Sequence, residues 1–360
     1  MLLDDPCPTM LPLALLLPLT LSAPQATALP RTEDESFARV APTVELALVL
    51  AALSPLGEDD PDYEPVHRRG DHFDALLEHF GAHRDHPAVR ELGASYSLPR
   101  LVGNAADFRF DDEGRLVEVV SDGSLWGDRR GDLFRRHLAD IQAFADDTEF
   151  LAFYDARREV YRQLVDATQA LADLEDMTRW LEEQFPARPG PAEVHVSPLI
   201  GSHHWTSGTQ QKALRIWIRP PSPGKKAPGP VERMSFARRL FTELDHPFVN
   251  PLTAERRDVL EVALAEPTDW ATERAWSSYP SRELVFNEYM TWAVFLLYAR
   301  DRLEPSSFAA IRTRTVLQMQ MQRGFRRFAD FAETLLELSE ENGLPASEQV
   351  DEMLGWCEFQ

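Results

Sequence analysis

The chain has few cysteines and fewer basic than acidic side chains. Its 360 residues include two cysteines, Cys7 and Cys357. If the first 28 residues are removed as a signal, Cys357 is left alone and no intramolecular disulfide can form. Lysine and arginine number 37 against 59 aspartates and glutamates, which gives a net charge of −22. A chain this acidic repels phosphate backbones, so nucleic-acid binding is not expected.

Long apolar runs are also missing, with one short run near the start. Residues 11–21 are apolar, which is too short a stretch to cross a bilayer comfortably. The triplet Ala-Thr-Ala ending at Ala28 follows, and this pattern is typical of a secretory signal cleaved after Ala28. The start carries two aspartates and no Lys or Arg, so the alternative is an apolar N-terminus that is packed or disordered. We expect an exported protein with no integral membrane segment after signal removal.

Hydrophobic periodicity predicts an α+β protein that is mostly α. After the signal at 1–28 we expect a mainly helical region at 29–190, and then a region at 191–360 that carries the chemistry. In that second region the residue pattern predicts a small antiparallel sheet that precedes a central helix, followed by a second, strongly apolar helix. The predicted elements are strands 194–200 and 213–218 and helices 231–246 and 281–302.

Several enzyme classes lack their signatures here. There is no Gly-x-Ser-x-Gly nucleophile elbow and no glycine-rich phosphate loop. A di-iron carboxylate site needs two Glu-x-x-His helices and two further glutamates. The second such spacing in this chain, Glu64 to His67, contains Pro65 in a polar stretch, so the di-iron interpretation fails on the number of ligands.

Two predicted helices carry polar residues that ordinary core helices do not. Near the end of the first, Glu243 and His246 lie three residues apart and project from one face. In the second, Glu288 lies inside an almost continuous apolar stretch, which should be buried on all sides. A buried carboxylate must be paired, protonated or metal-bound, because an isolated buried charge is very costly. A structural alternative is that an arginine or backbone groups satisfy Glu288.

Together these residues are similar in spacing to a zinc-peptidase site. In His-Glu-x-x-His enzymes two histidines one turn apart bind zinc, and the glutamate between them acts as general base. A third ligand, often a glutamate on a later helix, completes the site. Here the corresponding residues are Thr242, Glu243 and His246, with Glu288 on the later helix.

The surrounding sequence resembles a family of uncharacterised exported bacterial proteins related to gluzincin metallopeptidases. Its members read His-Glu-Phe-Ser-His-x-Phe-Val-Asn-Pro where this chain reads Thr-Glu-Leu-Asp-His-Pro-Phe-Val-Asn-Pro, residues 242–251. Three further segments are similar, at 83–89, 196–201 and 287–289. The resemblance covers most of the chain after the signal, and it implies a gluzincin-like fold.

Carried over by position, the resemblance makes Glu243 the general base and makes His246 and Glu288 zinc ligands. Thr242 takes the place of the first ligand, and a neutral hydroxyl is a poor ligand for zinc. His203 and His204, in the loop before the central helix, are candidate substitutes. Zinc binding is therefore expected to be weak or absent unless Thr242 is replaced by another ligand.

Two functions follow from this comparison. One is an exported pseudoenzyme that keeps a cleft for a peptide or another protein. The other is an active zinc-dependent peptidase or hydrolase that uses a substitute first ligand. Catalytic zinc normally has three protein ligands, so the missing one favours the pseudoenzyme.

Overall fold

A computed structural model of the chain describes residues 36–56, 64–93, 98–119, 133–207, 214–221 and 228–360. The structure is mostly helical (67%) with small sheets, which confirms the α+β, mostly α prediction. The predicted signal at 1–28 lies outside the described residues. Among the described residues no helix combines the length and apolar character needed to span a membrane.

The first half of the chain is built from short helices around a strongly apolar first helix and a small hairpin. The elements are β1 Ala38–Arg39, α1 Pro42–Leu53, α2 Asp71–Phe80, α3 Pro87–Gly93, α4 Leu98–Ala105, β2 Phe108–Phe110, β3 Leu116–Glu118, α5 Leu133–Arg136, α6 Leu138–Asp147, α7 Phe150–Ala156, α8 Arg158–Leu171 and α9 Leu174–Gln184. Strands β2 and β3 pair antiparallel.

The second half contains three strands followed by longer helices. They are β4 Ala192–Val196, β5 Trp205–Ser207, β6 Leu214–Ile218, α10 Pro230–Leu244, α11 His246–Ala254, α12 Arg257–Ala263, α13 Pro267–Trp270, α14 Glu273–Ser278, α15 Arg282–Arg302, α16 Pro305–Leu317, α17 Phe328–Asn342 and α18 Val350–Glu358. A π-helix, Gln318–Arg323, joins α16 to the turn before α17. The predicted helix 281–302 matches α15.

The prediction of an antiparallel pair formed by 194–200 and 213–218 is wrong. In the four-stranded sheet the order is β1-β4-β6-β5; β4 and β6 are parallel, and only β5 runs antiparallel to β6. The expected loop between the two strands contains β5, which takes the antiparallel place. Strand β6 is buried at all five positions, as expected for a strand paired on both sides.

The sheet lies between two apolar cores. One face contributes Val194, Ile216 and Ile218 to the larger core, shared with α9, α10 and α15. The other face contributes Trp217 and Trp205 to the smaller core around α1 and α4. Since β1 pairs with β4, the sheet joins the predicted helical region 29–190 to the region 191–360.

A close backbone contact fixes the loop between β4 and β5. The amide of Gly201 donates to Pro65 O at 3.0 Å, and the amide of Ser202 donates to Glu64 O at 2.9 Å. A Cβ at Gly201 would lie 1.8 Å from Glu64 O, so this approach requires glycine. The contact holds the start of the 202–204 loop in place.

His195 is fully buried on the face of the sheet that packs against the smaller core. Its ring stacks on Trp217 at 5.5 Å, and neither ring nitrogen makes a hydrogen bond of good geometry. Burial lowers the pKa of His195; Glu193 opposes that shift, and Arg39 and Arg215 add to it.

Replacing His195 by phenylalanine should weaken the loss of stability in acid. The unfolded histidine takes up a proton below about pH 6.5, whereas the folded ring, with its lowered pKa, does not, so the free energy of unfolding falls as the pH falls. Between pH 7 and pH 5 we expect His195→Phe to lose about 1–2 kcal/mol less than wild type in urea titrations. His203→Phe, at an exposed histidine, is the matched control. Equal losses for His195→Phe and wild type would contradict this assignment.

Candidate functional site

The predicted site residues converge on one cleft of about 960 Å³. Its walls are the loop 202–204 with β5, the end of α10 with the start of α11, the middle of α15 and the π-helix. The polar and aromatic side chains that line it include His203, His204, Arg238, Thr242, Glu243, His246, Asn250, Arg274, Tyr279, Glu288, Trp292, Gln322 and Arg323.

The central helix was predicted to run to His246, but in the structure it stops two residues earlier. Helix α10 ends at Leu244, and His246 begins α11. Pro247 has no N–H to donate to the carbonyl of Glu243, so the hydrogen-bond ladder is interrupted there. Asp245, between the two helices, keeps helical angles (φ −82°, ψ −16°). Glu243 and His246 therefore reach the cleft from two helices that meet at a break.

Thr242 is buried, and its hydroxyl is already engaged. Its Oγ1 donates to the carbonyl of Arg238 at 3.0 Å, one turn back along the helix. Such a bond is the common way for a threonine inside a helix to satisfy its hydroxyl group. The residue in the place of the first zinc ligand is therefore oriented by its own helix.

Glu243 projects half-buried into the cleft. No donor among the described residues hydrogen-bonds its carboxyl group. Burial, and then the nearby Glu288, raise the pKa of Glu243 well above its ordinary value, although Arg323 and Arg238 act in the opposite direction. The neighbouring Asp245 is fully buried, and neither of its carboxyl oxygens has a hydrogen-bond partner among the described residues.

His246 is held in its neutral form. Burial lowers its pKa, while Glu288 and the adjacent Asn250 act in the opposite direction. Its Nδ1 is buried without a hydrogen-bond partner of good geometry among the described residues. A neutral imidazole of this kind can accept a proton or a hydrogen bond through a ring nitrogen.

Glu288, on the buried helix α15, is ion-paired with Arg323. The Arg323 guanidinium bonds Glu288 Oε2 and also donates to the hydroxyl of Tyr279 at 2.5 Å. Burial lowers the pKa of Arg323, but Glu288, Tyr279 and Glu243 together outweigh burial, and the pKa of Arg323 is raised. Glu288 is therefore satisfied by an arginine, which is the alternative to metal binding that the sequence left open.

Arg323 reaches the cleft because of the irregular segment that carries it. It is the last residue of the π-helix, and the next residue, Gly324, caps that helix with a φ of +81°. A Cβ at Gly324 would lie 2.1 Å from Thr272 Oγ1, so both the angle and the close approach require glycine. The amide of Phe325 donates back to Met319 O at 2.9 Å and closes the turn.

Arg238, one turn before Thr242, is the second cation of the cleft. Its guanidinium lies 4.3 Å from the ring centroid of Trp292, and Arg323 lies 4.8 Å from the same centroid. Among the described residues no acceptor forms a hydrogen bond or ion pair with Arg238. Burial, with the neighbouring Arg323 and Arg239, lowers the pKa of Arg238 to about 9.

The loop histidines also border the cleft. His203 is exposed, with Nδ1 3.2 Å from the hydroxyl of Ser202. His204 is half-buried; burial lowers its pKa well below the ordinary value, and Arg239 and Arg238 add to that shift. Their part as substitute metal ligands stays a prediction.

The side chains as arranged do not fit a zinc ion. Among the described residues no three His, Cys, Asp or Glu side chains come together in a group that could hold a metal. The Glu288 carboxylate is engaged by a guanidinium, and the Thr242 hydroxyl by its own helix. His246 is the one member of the expected ligand set with no such commitment, whereas catalytic zinc needs three.

Sequence reasoning missed the two arginines of the cleft that lie against Trp292, Arg238 and Arg323. Arg238 lies on an amphipathic helix, where an arginine is ordinary, and Arg323 is distant in sequence from every predicted site residue. Gly324 was the available signal, since a glycine after a helical pattern often marks its end.

In comparisons with family models, with curated proteins and with solved structures, nothing matches this chain.

Proposed function

We propose that this chain is an exported, non-catalytic relative of metallopeptidases that binds a peptide or an extended segment of another protein in its cleft. The observation that carries the proposal is the ion pair between Arg323 and Glu288. A guanidinium of this chain supplies the positive charge at the carboxylate that, by the resemblance, would be the third zinc ligand.

The same contacts argue against peptide hydrolysis. A general base in such enzymes acts on a water activated by zinc, and that activation lowers the pKa of the water to about 7. Here the Glu288 carboxylate is engaged by Arg323 and the Thr242 hydroxyl by its own helix, so neither is available to hold that zinc beside Glu243. Without a zinc-activated water, Glu243 has no nucleophile to deprotonate.

A peptide is the favoured ligand because of the sheet edge at the cleft. Strand β5 ends the sheet in the part of the chain that the structure describes, and Trp205, Thr206 and Ser207 line the cleft. An extended peptide can add to such an edge through main-chain hydrogen bonds. The length of the cleft walls, from the loop at 202 to the π-helix, leaves room for side chains of the ligand.

The second candidate is an active zinc peptidase. It is supported by one observation, the convergence of Glu243, His246, Glu288 and His204 on the same cleft. That function requires Arg323 to leave Glu288 and a substitute for Thr242. The export part of the proposal rests on the apolar run 11–21 and the small residues before position 29.

The experiment is a binding and cleavage assay with pools of fluorescein-labelled octapeptides. We expect binding without cleavage, and no change on adding a metal chelator. In Gln322→Trp the bulky indole on the π-helix occupies part of the cleft. We therefore expect this variant to bind the peptides at least tenfold more weakly than wild type. Met321→Trp is the matched control, because Met321 is exposed beside it and does not line the cleft.

Cleavage that a chelator abolishes would establish the second candidate. Equal binding by Gln322→Trp and Met321→Trp would move the ligand away from the cleft and contradict the proposal.

A further inference from the structure

Arg323 and Arg238 differ in whether they have an ion-pair partner. Arg323 is matched by Glu288, but Arg238 has no ion-pair partner among the described residues. Glu243 acts on Arg238 electrostatically, yet no oxygen of Glu243 lies within ion-pair distance of it. A half-buried guanidinium without an acceptor is unusual, because buried charges are normally paired.

The surroundings of Arg238 hold the guanidinium in place and do not neutralise it. Trp292 is 3% exposed and belongs to the rigid helix α15. Its ring attracts a cation through its π-face. The guanidinium of Arg323 lies against the same ring, and the repulsion from this like charge disfavours the charged form of Arg238. This local positive charge contrasts with the net charge of −22 of the whole chain.

An anion from outside would relieve that repulsion. An arginine presents its N–H groups as a planar fork that matches the two oxygens of a carboxylate. Arg238 lines the cleft, and its N–H groups have no other acceptor among the described residues, so a ligand carboxylate can take that place.

We propose that Arg238, supported by Arg323 and Trp292, is a carboxylate-binding subsite of the cleft that selects peptides bearing a carboxylate at the matching position. This inference rests on the proposed function of the cleft as a peptide-binding site. The carboxylate comes either from the C-terminus of the ligand or from an aspartate or glutamate side chain. Both sources present the same pair of oxygens to the guanidinium.

Four labelled octapeptide pools separate these sources. Two pools contain no Asp or Glu and end in a free carboxylate or in an amide; the other two contain one Asp and have the same two ends. For wild type we expect the amidated pool without Asp to bind at least tenfold more weakly than the best carboxylate-bearing pool. Preference for a free C-terminus or for Asp identifies the source.

Arg238→Gln should remove the preference and leave all pools with similar, weak binding. The matched control is Arg239→Gln, since Arg239 is the next residue on α10, contacts Phe236 and does not line the cleft. Arg239→Gln should keep the wild-type preference. Arg238→Lys keeps the charge without the fork, so we expect an intermediate preference, and this variant also guards against misfolding of Arg238→Gln.

Two results would overturn the subsite. In the first, wild type binds all four pools equally; in the second, Arg238→Gln keeps the preference while binding stays as tight as in wild type. Either result leaves peptide binding in the cleft intact. Absence of binding by every pool, with wild type folded, would instead overturn the proposed function and the subsite with it.

Discussion

Replacement of Arg323 by methionine is expected to lower the free energy of unfolding by about 3–5 kcal/mol, the usual cost of breaking a buried ion pair at one partner. Glu288 is 7% exposed and lies in a helix surrounded by apolar side chains. Removing the guanidinium leaves its carboxylate without its counter-charge. Methionine keeps the length and most of the apolar packing of the arginine stem. The decrease in the free energy of unfolding therefore measures the removal of the positive charge and not a loss of packing.

Urea denaturation of purified variants measures this effect. The matched control is Arg312→Met, which breaks the ion pair with Glu333 on the surface, where both side chains are more than a third exposed. Solvent screening limits that loss to about 0–1 kcal/mol. The double variant Arg323→Met with Glu288→Gln should recover much of the stability, because no buried charge is then left unpaired. A loss below about 1 kcal/mol for Arg323→Met would show that Glu288 does not depend on Arg323.

The largest functional effect is expected when the missing ligand is restored and the guanidinium is removed together. Thr242→His supplies an imidazole at the position of the first ligand, but Glu288 stays bound to Arg323. We therefore expect Thr242→His alone to retain well under one zinc per chain after dialysis. Thr242→His combined with Arg323→Met has the introduced imidazole, His246 and Glu288 available, which is the three-ligand set that zinc requires.

The double variant is expected to retain one zinc per chain, measured by elemental analysis. Zinc should also raise its melting temperature, since a ligand that binds only the folded state stabilises it. The control is Thr242→Gln with Arg323→Met, which has the same vacated position and no added imidazole. Stoichiometric zinc in Thr242→His alone would mean that Arg323 is no obstacle. Absence of zinc from the double variant would mean that the backbone no longer positions the ligands.

Much of the site followed from the sequence because its strongest signal was a violation of ordinary burial. Glu288 interrupts an apolar helix, and the structure buries it in α15 as predicted. The short-range spacing of Glu243 and His246 also brought both residues to one cleft. Both inferences depend on local periodicity, which the sequence records directly.

The features that the sequence did not reveal depend on long-range contacts or on very short elements. Strand β5 has three residues, too few for an alternating pattern to be recognised. Because β5 pairs antiparallel with β6, β4 and β6 are parallel and not antiparallel as expected. The partner of Glu288 lies 35 residues away, on a π-helix whose irregular backbone has no known periodicity to detect. The break after Leu244, by contrast, follows from the sequence, because Pro247 has no N–H to continue the hydrogen-bond ladder of α10.

Another buried charge escaped sequence analysis for the same reason. Glu45 is fully buried in α1, where His72 Nε2 lies 2.9 Å from it and the hydroxyl of Tyr161 donates to it at 3.3 Å. Three elements distant in sequence meet there, so residue spacing could not predict the contact. His72 is thus part of a buried polar cluster with Glu45.

In the proposed function, Arg323 supplies at Glu288 the positive charge that a metal supplies in an active peptidase. The most direct test is the zinc content of the wild-type chain, purified with its native sequence, equilibrated with excess zinc and dialysed against metal-free buffer. We expect well under one zinc per chain and the same melting temperature before and after zinc addition. One tightly held zinc per chain would contradict it.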